Sequence, residues 1–248
     1  MDRIFYIGTM GWSYNFWKSN FYSSQSKPEN FLEEYSKHFN TVEVNSSFYH
    51  VPSISTLENW KNQTPKNFCF ALKVPKRITH ENKKLDFDYL EYFLDTIVHL
   101  GSKLGPVLFQ FPYSFKLVRF DFLKDLVSTL PKNNRYAFEV RNKSWLTDQF
   151  YSFLIENNIA LVLGDSQWLD EIEKTTSDFA YFRWEGDRKQ IKGTKGTIEK
   201  ERNNDLEKWS QKILSLPHEV DIYGYFSKYY SGHPPTDAKQ LLNYLMNN

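Results

Sequence analysis

Eight short apolar runs of β type alternate with longer segments of helical spacing, and this alternation constrains the fold more than any other feature of the chain. Apolar residues repeated at intervals of three and four predict helices, whereas short runs rich in β-branched and aromatic residues predict strands. The predicted strands are Ile4–Gly8, Thr41–Asn45, Phe68–Val74, Pro106–Phe111, Tyr136–Arg141, Ala160–Asp165, Phe179–Glu185 and Val220–Phe226.

Eight strand–helix units in 248 residues meet the requirement of a closed (β/α)8 barrel. An open, doubly wound sheet uses the same units, but it more often carries a glycine-rich phosphate loop after its first strand. The residues at that position, Gly8–Trp12, do not form the dinucleotide fingerprint. We therefore predict the α/β class, with residues 1–248 forming a single-domain (β/α)8 TIM-type barrel.

Three predicted helices begin at recognisable capping residues. Asp88 is followed by Glu91, and Ser55 by Glu58, at the spacing of a capping box. Thr147 precedes a helix with a regular apolar face. These three residues are the predicted N-caps of their helices.

The composition argues against several classes of protein. Lys and Arg total 31 against 30 Asp and Glu, so the chain has no global attraction for nucleic acid or for an anionic membrane. No apolar run approaches membrane-spanning length, and the first residues lack the pattern of a secretory signal. The single cysteine, Cys69, excludes an internal disulfide. We expect a cytoplasmic protein without a membrane partner; the sequence does not indicate its oligomeric state.

Polar residues in five of the predicted strands share one face and lie near the carboxyl end. Because the apolar face of each strand must meet the helices, the polar face is expected to point into the barrel. Active sites of such barrels are built at this end, whereas the floor of the barrel is expected to lack polar groups. With Asp165 at the end of the sixth strand, the expected inward set is Glu43, Asn45, Lys73, Gln110, Glu139, Arg141, Asp165, Arg183 and Glu185.

Functional and structural interpretations of this set compete. The charges could simply pair, but buried ion pairs recover little more than their desolvation cost, which favours a functional site. Two carboxylates in unlike environments can supply a base and an acid, so Glu43 and Glu139 are the candidate catalytic residues. The alternative, that one glutamate only orients Arg141 or Lys73, stays open. Arg141 and Arg183 would bind a carboxylate or phosphate of the ligand.

Further side chains near the strand ends are candidate ligand contacts. Aromatic rings that follow a glycine at the barrel mouth could stack on a sugar or a base, which favours Trp12 and Tyr14. Bulky rings elsewhere in these loops, such as Trp17 and Trp145, are expected to cap the barrel. The predicted ligand-binding residues are Asn45, Lys73, Gln110, Arg141, Asp165, Arg183, Trp12, Tyr14 and His80.

Imine chemistry and metal chemistry are both disfavoured. Lys73 would form an imine only if its pKa were depressed, and three carboxylates at the same rim should hold it charged. Mixed oxygen and nitrogen ligands could come from His80 and the rim carboxylates, yet the chain has no H-x-x-H or H-E-x-x-H spacing. We expect no metal and no cofactor.

The segment Gly186–Arg202 is rich in basic residues and follows the seventh strand. Barrels often bind phosphate in this region, where the amides at Gly193 and Gly196 could approach an anion. A solvated loop is the favoured interpretation.

Several blocks of the sequence resemble the YecE-like family (domain of unknown function 72). They are Gly8–Tyr14, Phe39–Tyr49, Phe70–Pro75, Leu104–Pro112, Glu139–Arg141 and Tyr181–Trp184. The resemblance implies a TIM-type barrel, but it implies no activity, because the family has none assigned. A distant likeness to sugar isomerases and apurinic-site endonucleases is an analogy of fold alone.

The chain departs from the family pattern at three places. Tyr113 stands where the family usually has a second proline, and Glu185 where it commonly has a histidine. Ser227 and Lys228 replace paired asparagines after the eighth strand. The last two departures fall at the predicted mouth of the site, so we expect ligand contacts there to differ from those of other members.

Three hypotheses of function follow. The favoured one is an enzyme that performs metal-independent acid–base chemistry on a small polar ligand, sugar- or nucleotide-like and able to carry an anionic group, at the C-terminal rim. The second is a nucleic-acid-binding protein or metal-assisted phosphodiesterase, which would bind DNA with steep salt dependence. The third is a non-catalytic barrel that binds a ligand or a partner.

Overall fold

A nearly closed ring of parallel strands, surrounded by helices, is the architecture of the chain. The computed structural model describes residues 3–81, 84–169 and 172–247, so Met1 and Asp2 lie outside the described residues. The strands are β1 (Phe5–Thr9), β2 (Thr41–Val44), β3 (Cys69–Lys73), β4 (Leu104–Gln110), β5 (Tyr136–Glu139), β6 (Ile159–Asp165), β7 (Phe179–Trp184) and β8 (Asp221–Phe226). Their order in the sheet is β1-β8-β7-β6-β5-β4-β3-β2, all parallel. The predicted (β/α)8 barrel is confirmed.

Helices follow seven of the eight strands. They are α1 (Phe31–Ser36), α2 (Ile54–Gln63), α3 (Phe87–Ile97), α4 (Phe120–Thr129), α5 (Asp148–Glu156), α6 (Asn203–Leu214) and α7 (Pro234–Met246). The described residues between β6 and β7 contain no α-helix. None of the helices in the described ranges is long and apolar enough to cross a membrane.

One of the three predicted N-caps is confirmed, and the other two helices begin at an earlier residue than predicted. Thr147 caps α5 by accepting a hydrogen bond from a backbone N–H three residues on. Asp88 and Ser55 do not cap their helices; Asp86 and Ser53, each two residues earlier, do so. Each predicted cap follows another residue of capping type, and the earlier one starts the helix.

The barrel closes between β1 and β2 through a side chain as well as the backbone. One isolated bridge joins Met10 to Glu43. Below it the Thr9 amide donates to the Tyr35 hydroxyl at 2.9 Å, and that hydroxyl donates to the Thr41 carbonyl at 3.0 Å. The phenol of α1 therefore connects two strands whose backbones do not form a continuous ladder.

Two hydrophobic layers confirm the alternation of faces expected from the sequence. The layer between strands and helices contains the large apolar side chains of the predicted outward face, such as Val42, Phe70 and Phe182. The layer inside the barrel is formed by Cys69, Ala71, Leu108, Ala137, Ala160, Val162, Phe179, Tyr181, Tyr223 and Tyr225. The polar strand ends sit above this inner layer, at the rim.

The floor of the barrel is not free of polar groups, so that expectation is wrong. Arg135, directly before β5, donates to Asp221 at 2.8 Å and to the Tyr223 hydroxyl at 2.9 Å. Asp221 opens β8 and therefore lies at the opposite end from the rim. The side chains of Arg135 and Asp221 are only partly buried, and water at the floor lowers the cost of this ion pair.

Candidate functional site

A cavity of about 380 Å³ opens at the carboxyl ends of the strands. Volumes of this size are typical of small-molecule sites. Seven of the predicted site residues line it, namely Tyr14, Asn45, Lys73, His80, Gln110, Arg141 and Arg183, together with Glu185. Strands and loops far apart in the chain therefore converge on one opening.

Arg183 lies near the end of β7, and its guanidinium is fully engaged. Nε and Nη2 each lie 3.0 Å from an oxygen of Glu43, which makes a bidentate ion pair. Nη1 donates to Glu139 and, at 2.9 Å, to Glu185, while Nη2 also points to the Met10 sulfur at 3.4 Å. All five N–H groups of the guanidinium thus have partners. Arg183 contributes charge to the cavity but has no donor left for a ligand.

Glu43, one of the two predicted catalytic glutamates, is 0% exposed and lies beneath the cavity. Besides the two bonds from Arg183, it accepts from the Tyr181 hydroxyl and from Asn45 Nδ2, both at 2.8 Å. Both of its oxygens therefore already accept two hydrogen bonds. These contacts favour a positioning role for Glu43, and its catalytic role stays a prediction.

Glu139, the second predicted catalytic residue, sits between two guanidinium groups. It accepts from Arg183 and, at 2.9 Å, from Arg141 Nε. Burial by itself raises the pKa of a carboxyl, but Arg183 and Arg141 outweigh burial and lower the pKa of Glu139 to about 2. Glu139 is therefore ionised at neutral pH and cannot serve as the acid of an acid–base pair; a role as base stays a prediction.

Arg141 differs from Arg183 in having donors to spare. Nε binds Glu139, and Nη2 binds Glu185 at 2.7 Å. In the described part of the chain, Nη1 has no partner, and Arg141 borders the cavity. The guanidinium carbon lies 5.4 Å from the ring centroid of Trp168, which helps to fix its plane. Arg141 is thus the rim cation best placed to bind a ligand anion.

Lys73 ends β3 and is 8% exposed, yet it forms no ion pair within the described residues. Its Nζ donates to Gln110 Oε1 at 2.7 Å and lies 4.0 Å from the ring centroid of Phe48. Burial, and then the charge of Arg183, lower the pKa of Lys73 to about 8. Glu139 and Glu43 raise this pKa, but they do not offset burial in full, because Arg141 and Arg183 bind them. Lys73 therefore stays mostly protonated at pH 7, and its expected charge stays a prediction.

His80 lies on one turn of π-helix after β3, a feature common at functional sites. Its Nδ1 is 2.8 Å from the Thr79 hydroxyl, and its Nε2 is 3.4 Å from Gln110 Nε2. Burial, and then Lys73 and Arg141, lower the pKa of His80 to about 4. The imidazole that faces the cavity is therefore neutral at pH 7.

Asp165 does not join the other predicted residues. It borders a separate hollow of about 350 Å³ beside α6, with Arg202, Trp209 and Tyr230. In β6 the inner layer is formed by Ala160 and Val162, so Asp165 has the opposite parity and faces the helices. Its predicted placement in the rim site is wrong.

Of the two loop aromatic residues predicted as ligand contacts, one lines the cavity and the other does not. Trp12 packs edge to face against Trp60, with centroids 5.3 Å apart, and takes no part in lining the cavity. Tyr14 does line the cavity, where its hydroxyl donates to the Met10 carbonyl at 2.8 Å. Burial raises the pKa of Tyr14 to about 12, so the phenol keeps its proton. Trp17, like Trp145, is fully buried, as expected.

Several cavity residues were not predicted as ligand contacts. Phe48 lies under the Lys73 amine. Arg188 and Lys228 flank the ring of Tyr229, at 4.9 Å and 5.1 Å from its centroid. Lys228 and Glu185 stand at two of the positions where the sequence departs from the family. That departure is the feature of the sequence that could have indicated them as cavity residues.

The segment Gly186–Arg202 is folded onto the barrel, and its Gly193 amide already has a partner within the segment. Glu199 accepts from the Gly193 amide at 2.7 Å. Gly193 has φ +63° and lies so close to Lys228 that a Cβ would be 2.4 Å from its carbonyl oxygen. The less favoured alternative, an anion site on the glycine amides, loses its Gly193 donor to a carboxylate of the same segment.

A metal site needs several oxygen, nitrogen or sulfur ligands that converge on one point. In residues 3–81, 84–169 and 172–247, no group of three or more His, Cys, Asp or Glu side chains is arranged to hold a metal ion. Of the candidates in the sequence, Glu43, Glu139 and Glu185 bind guanidinium groups, and His80 contacts Thr79 and Gln110.

The fold and the site together define a (β/α)8 barrel with a cationic cavity at its C-terminal rim. The chain belongs to the family described as "Protein of unknown function DUF72", whose sequence profile matches residues 6–248. The resemblance inferred from the sequence blocks is thereby confirmed.

Relatives and solved structures agree with this assignment. The chain is 26% identical to UPF0759 protein YunF of Bacillus subtilis, over 98% of this chain and 95% of YunF. It is 31% identical to UPF0759 protein YecE of Escherichia coli K12, over 56% of this chain and 49% of YecE. A DUF72 family protein from Thermotoga maritima superposes with a TM-score of 0.85 at 28% identity, covering 98% of this chain and all of that one. A DUF72 protein from Enterococcus faecalis, 22% identical with a TM-score of 0.79, shares the fold.

Proposed function

We propose that the rim cavity binds a small anionic metabolite and that the protein is an enzyme that acts on it by proton transfer. The observation that carries the proposal is the charge of the cavity wall. Among the residues that the structure describes, five cations and one carboxylate line it, the cations being Lys73, Arg141, Arg183, Arg188 and Lys228. Even with the carboxylates of Glu43 and Glu139 beneath, positive charge is in excess, and a cleft of one sign concentrates ligands of the other.

Arg141 is the proposed anchor for the anion. Its bonds to Glu139 and Glu185 fix the guanidinium plane and leave Nη1 uncommitted in the described part of the chain. A guanidinium held in this way presents parallel donors to a carboxylate or phosphate at little entropic cost. Arg188 and Lys228, on the outer wall, add attraction without the same fixed geometry.

Lys73 is the proposed proton carrier. Its pKa of about 8 leaves about one tenth of the side chain neutral at pH 7, so it can both accept and donate a proton. A strongly perturbed pKa in a cleft is typical of functional residues. Glu43 and Glu139, in this proposal, hold Arg183 and Arg141 in place.

Calorimetry tests the binding step. We expect inorganic phosphate and pyruvate to bind wild-type protein at low ionic strength, and Arg141→Gln to weaken binding about 10- to 100-fold, the effect of one lost charged contact. Lys124→Gln, which removes an exposed charge on α4, is the matched control and should bind like wild type. Equal binding by wild type and Arg141→Gln would refute the anchor.

Turnover is tested with a cell extract of small metabolites, analysed by mass spectrometry before and after incubation. We expect an anionic compound to be consumed by wild type but not by Lys73→Met. If anions bind and the extract is unchanged, the protein is a non-catalytic binding barrel. Tight, steeply salt-dependent binding of abasic or single-stranded DNA would instead favour the nucleic-acid hypothesis.

A further inference from the structure

We infer that Lys73 forms an imine with its substrate, and that the substrate class is a small aldehyde or ketone that also carries a carboxylate or phosphate. This inference rests on the proposed function, because it uses the same cavity and the same anion anchor. It goes beyond proton transfer by naming the reactive carbon and the covalent step.

The surroundings of Lys73 differ from those of Arg141 and Arg183. Three carboxylates lie at the rim, and all of them bind Arg141 or Arg183. Lys73 instead contacts a neutral amide and the face of an aromatic ring, those of Gln110 and Phe48. An ammonium group bound by neutral partners loses less interaction energy on deprotonation than an ammonium group in an ion pair. This matters because only the neutral amine is a nucleophile.

Electrostatics supports the same assignment. Burial is the largest cause that lowers the pKa of Lys73, to about 8, and Arg183 is the next. Depression of a lysine pKa by burial and by a neighbouring cation is a known means of activating it for imine formation. His80, neutral and linked to Lys73 through Gln110, adds no positive charge that would deter a carbonyl group.

The step balances without a further reagent. Lys73 first gives up one proton, and the amine nitrogen then adds to the carbonyl carbon, forming a C–N bond. The former carbonyl oxygen takes up that proton and one more from the nitrogen and leaves as water. Protonated lysine and a carbonyl compound thus give a protonated imine and one water molecule. The protonated imine withdraws electrons from the adjacent carbon, which prepares that carbon for loss of a proton or cleavage of a bond.

The size and charge of the cavity restrict the carbonyl compound. About 380 Å³ admits a metabolite of a few carbons with one anionic group. Arg141 and Lys73 both border this space, so one molecule can place its anion at the first and its carbonyl at the second. An uncharged ketone would lack the anchor.

Borohydride trapping tests the inference. The full-length wild-type protein is incubated with pyruvate, dihydroxyacetone phosphate or uncharged dihydroxyacetone, and sodium cyanoborohydride is added to reduce any imine to a stable amine. Peptide mass spectrometry then locates the adduct. We expect at least one charged probe to modify Lys73, at least tenfold more than dihydroxyacetone does, and Arg141→Gln to lower this yield about tenfold.

Lys103 provides the control within the same sample. It is also 8% exposed, and burial also lowers its pKa. Its Nζ, however, donates to the Lys61 and Thr64 carbonyls at 2.6 and 2.7 Å and to the Thr64 hydroxyl at 2.9 Å, outside the rim cavity. We expect no adduct on Lys103. Equal labelling of Lys73 and Lys103 would mean that burial alone directs the reaction and would overturn the inference.

The outcomes separate this inference from the proposed function. If phosphate and pyruvate bind in the calorimeter but no adduct forms at Lys73, the imine is refuted and the anion site stands. If anions do not bind and no adduct forms, both proposals fail. Adducts spread over exposed lysines, or formed equally with uncharged dihydroxyacetone, also refute the imine. Because the adduct is located in wild-type protein, the assay does not depend on the folding of a Lys73 variant.

Discussion

Arg183 and Glu43 form a bidentate ion pair at the rim, with Nε–Oε2 and Nη2–Oε1 distances of 3.0 Å each. The pair joins β7 to β2 across the mouth of the barrel, although the two residues are far apart in the sequence. Both side chains are buried, so the pair has exchanged its water for protein contacts. Such a pair adds little net stability over an apolar pair, but loss of one partner leaves an uncompensated charge.

Glu43→Gln is therefore expected to destabilise the fold by about 1–3 kcal/mol, because Arg183 and the Tyr181 hydroxyl lose a charged acceptor in a buried place. The loss stays in this range because Glu139 and Glu185 still pair with Arg183. Urea denaturation followed by tryptophan fluorescence measures the change. Glu33→Gln is the matched control: Glu33 pairs with Lys37 on the surface of α1, and its loss should change stability by less than about 0.5 kcal/mol. Similar values for the two variants would contradict the structural role given to Glu43.

Tyr35→Phe tests the closure of the barrel. The hydroxyl accepts from the Thr9 amide and donates to the Thr41 carbonyl, so its loss leaves two buried backbone groups unsatisfied. We expect a loss of about 1–3 kcal/mol in the free energy of unfolding. Tyr92→Phe, on the exposed side of α3, should stay within about 0.5 kcal/mol of wild type. A Tyr35→Phe variant as stable as wild type would show that the bridge is dispensable.

The pKa of Lys73 predicts a pH dependence of stability with a definite sign. The folded-state pKa of about 8 lies below the ordinary value of 10.5. Between these values the unfolded chain binds more protons than the folded protein, so rising pH stabilises the fold. Below about pH 8 both states are protonated, and the cost of burying the charge is fully present.

Lys73→Met removes this cost at every pH. We expect its stability relative to wild type to fall by about 3 kcal/mol between pH 7 and pH 10.5, since the wild type gains over that range and the variant does not. Lys37→Met, at an exposed position, should show no such trend. Parallel pH profiles for wild type and Lys73→Met, measured by denaturant titration, would contradict the lowered pKa.

The sequence predicts the barrel and most of the rim residues because apolar and polar residues alternate regularly along most of the strands. Glu43 and Arg183 have apolar neighbours on either side along their strands, so the face of each can be read from the chain. In β6 the residues from 159 to 163 are all apolar, so the pattern does not reveal which face is inward. The wrong placement of Asp165 follows from that lack of contrast.

The partner of each charge could not be predicted in the same way. The sequence shows four carboxylates and three cations at the strand ends, but it does not show which of them pair. In the structure the forked guanidinium groups of Arg141 and Arg183 bind three of the carboxylates, those of Glu43, Glu139 and Glu185. This division depends on distances across the barrel and on the bidentate geometry of arginine. It leaves Lys73 with neutral partners, which no spacing in the chain indicates.

The most direct measurement is a crystal structure of the wild-type protein grown in sodium selenate, with data collected at the selenium absorption edge. Selenate is a tetrahedral dianion like phosphate and marks its position by anomalous scattering. We expect a peak in the rim cavity with oxygens about 3 Å from the nitrogens of Arg141, and loss of that peak in Arg141→Gln crystals. An empty cavity at saturating selenate, or an unchanged peak in the variant, would contradict anion binding at the rim.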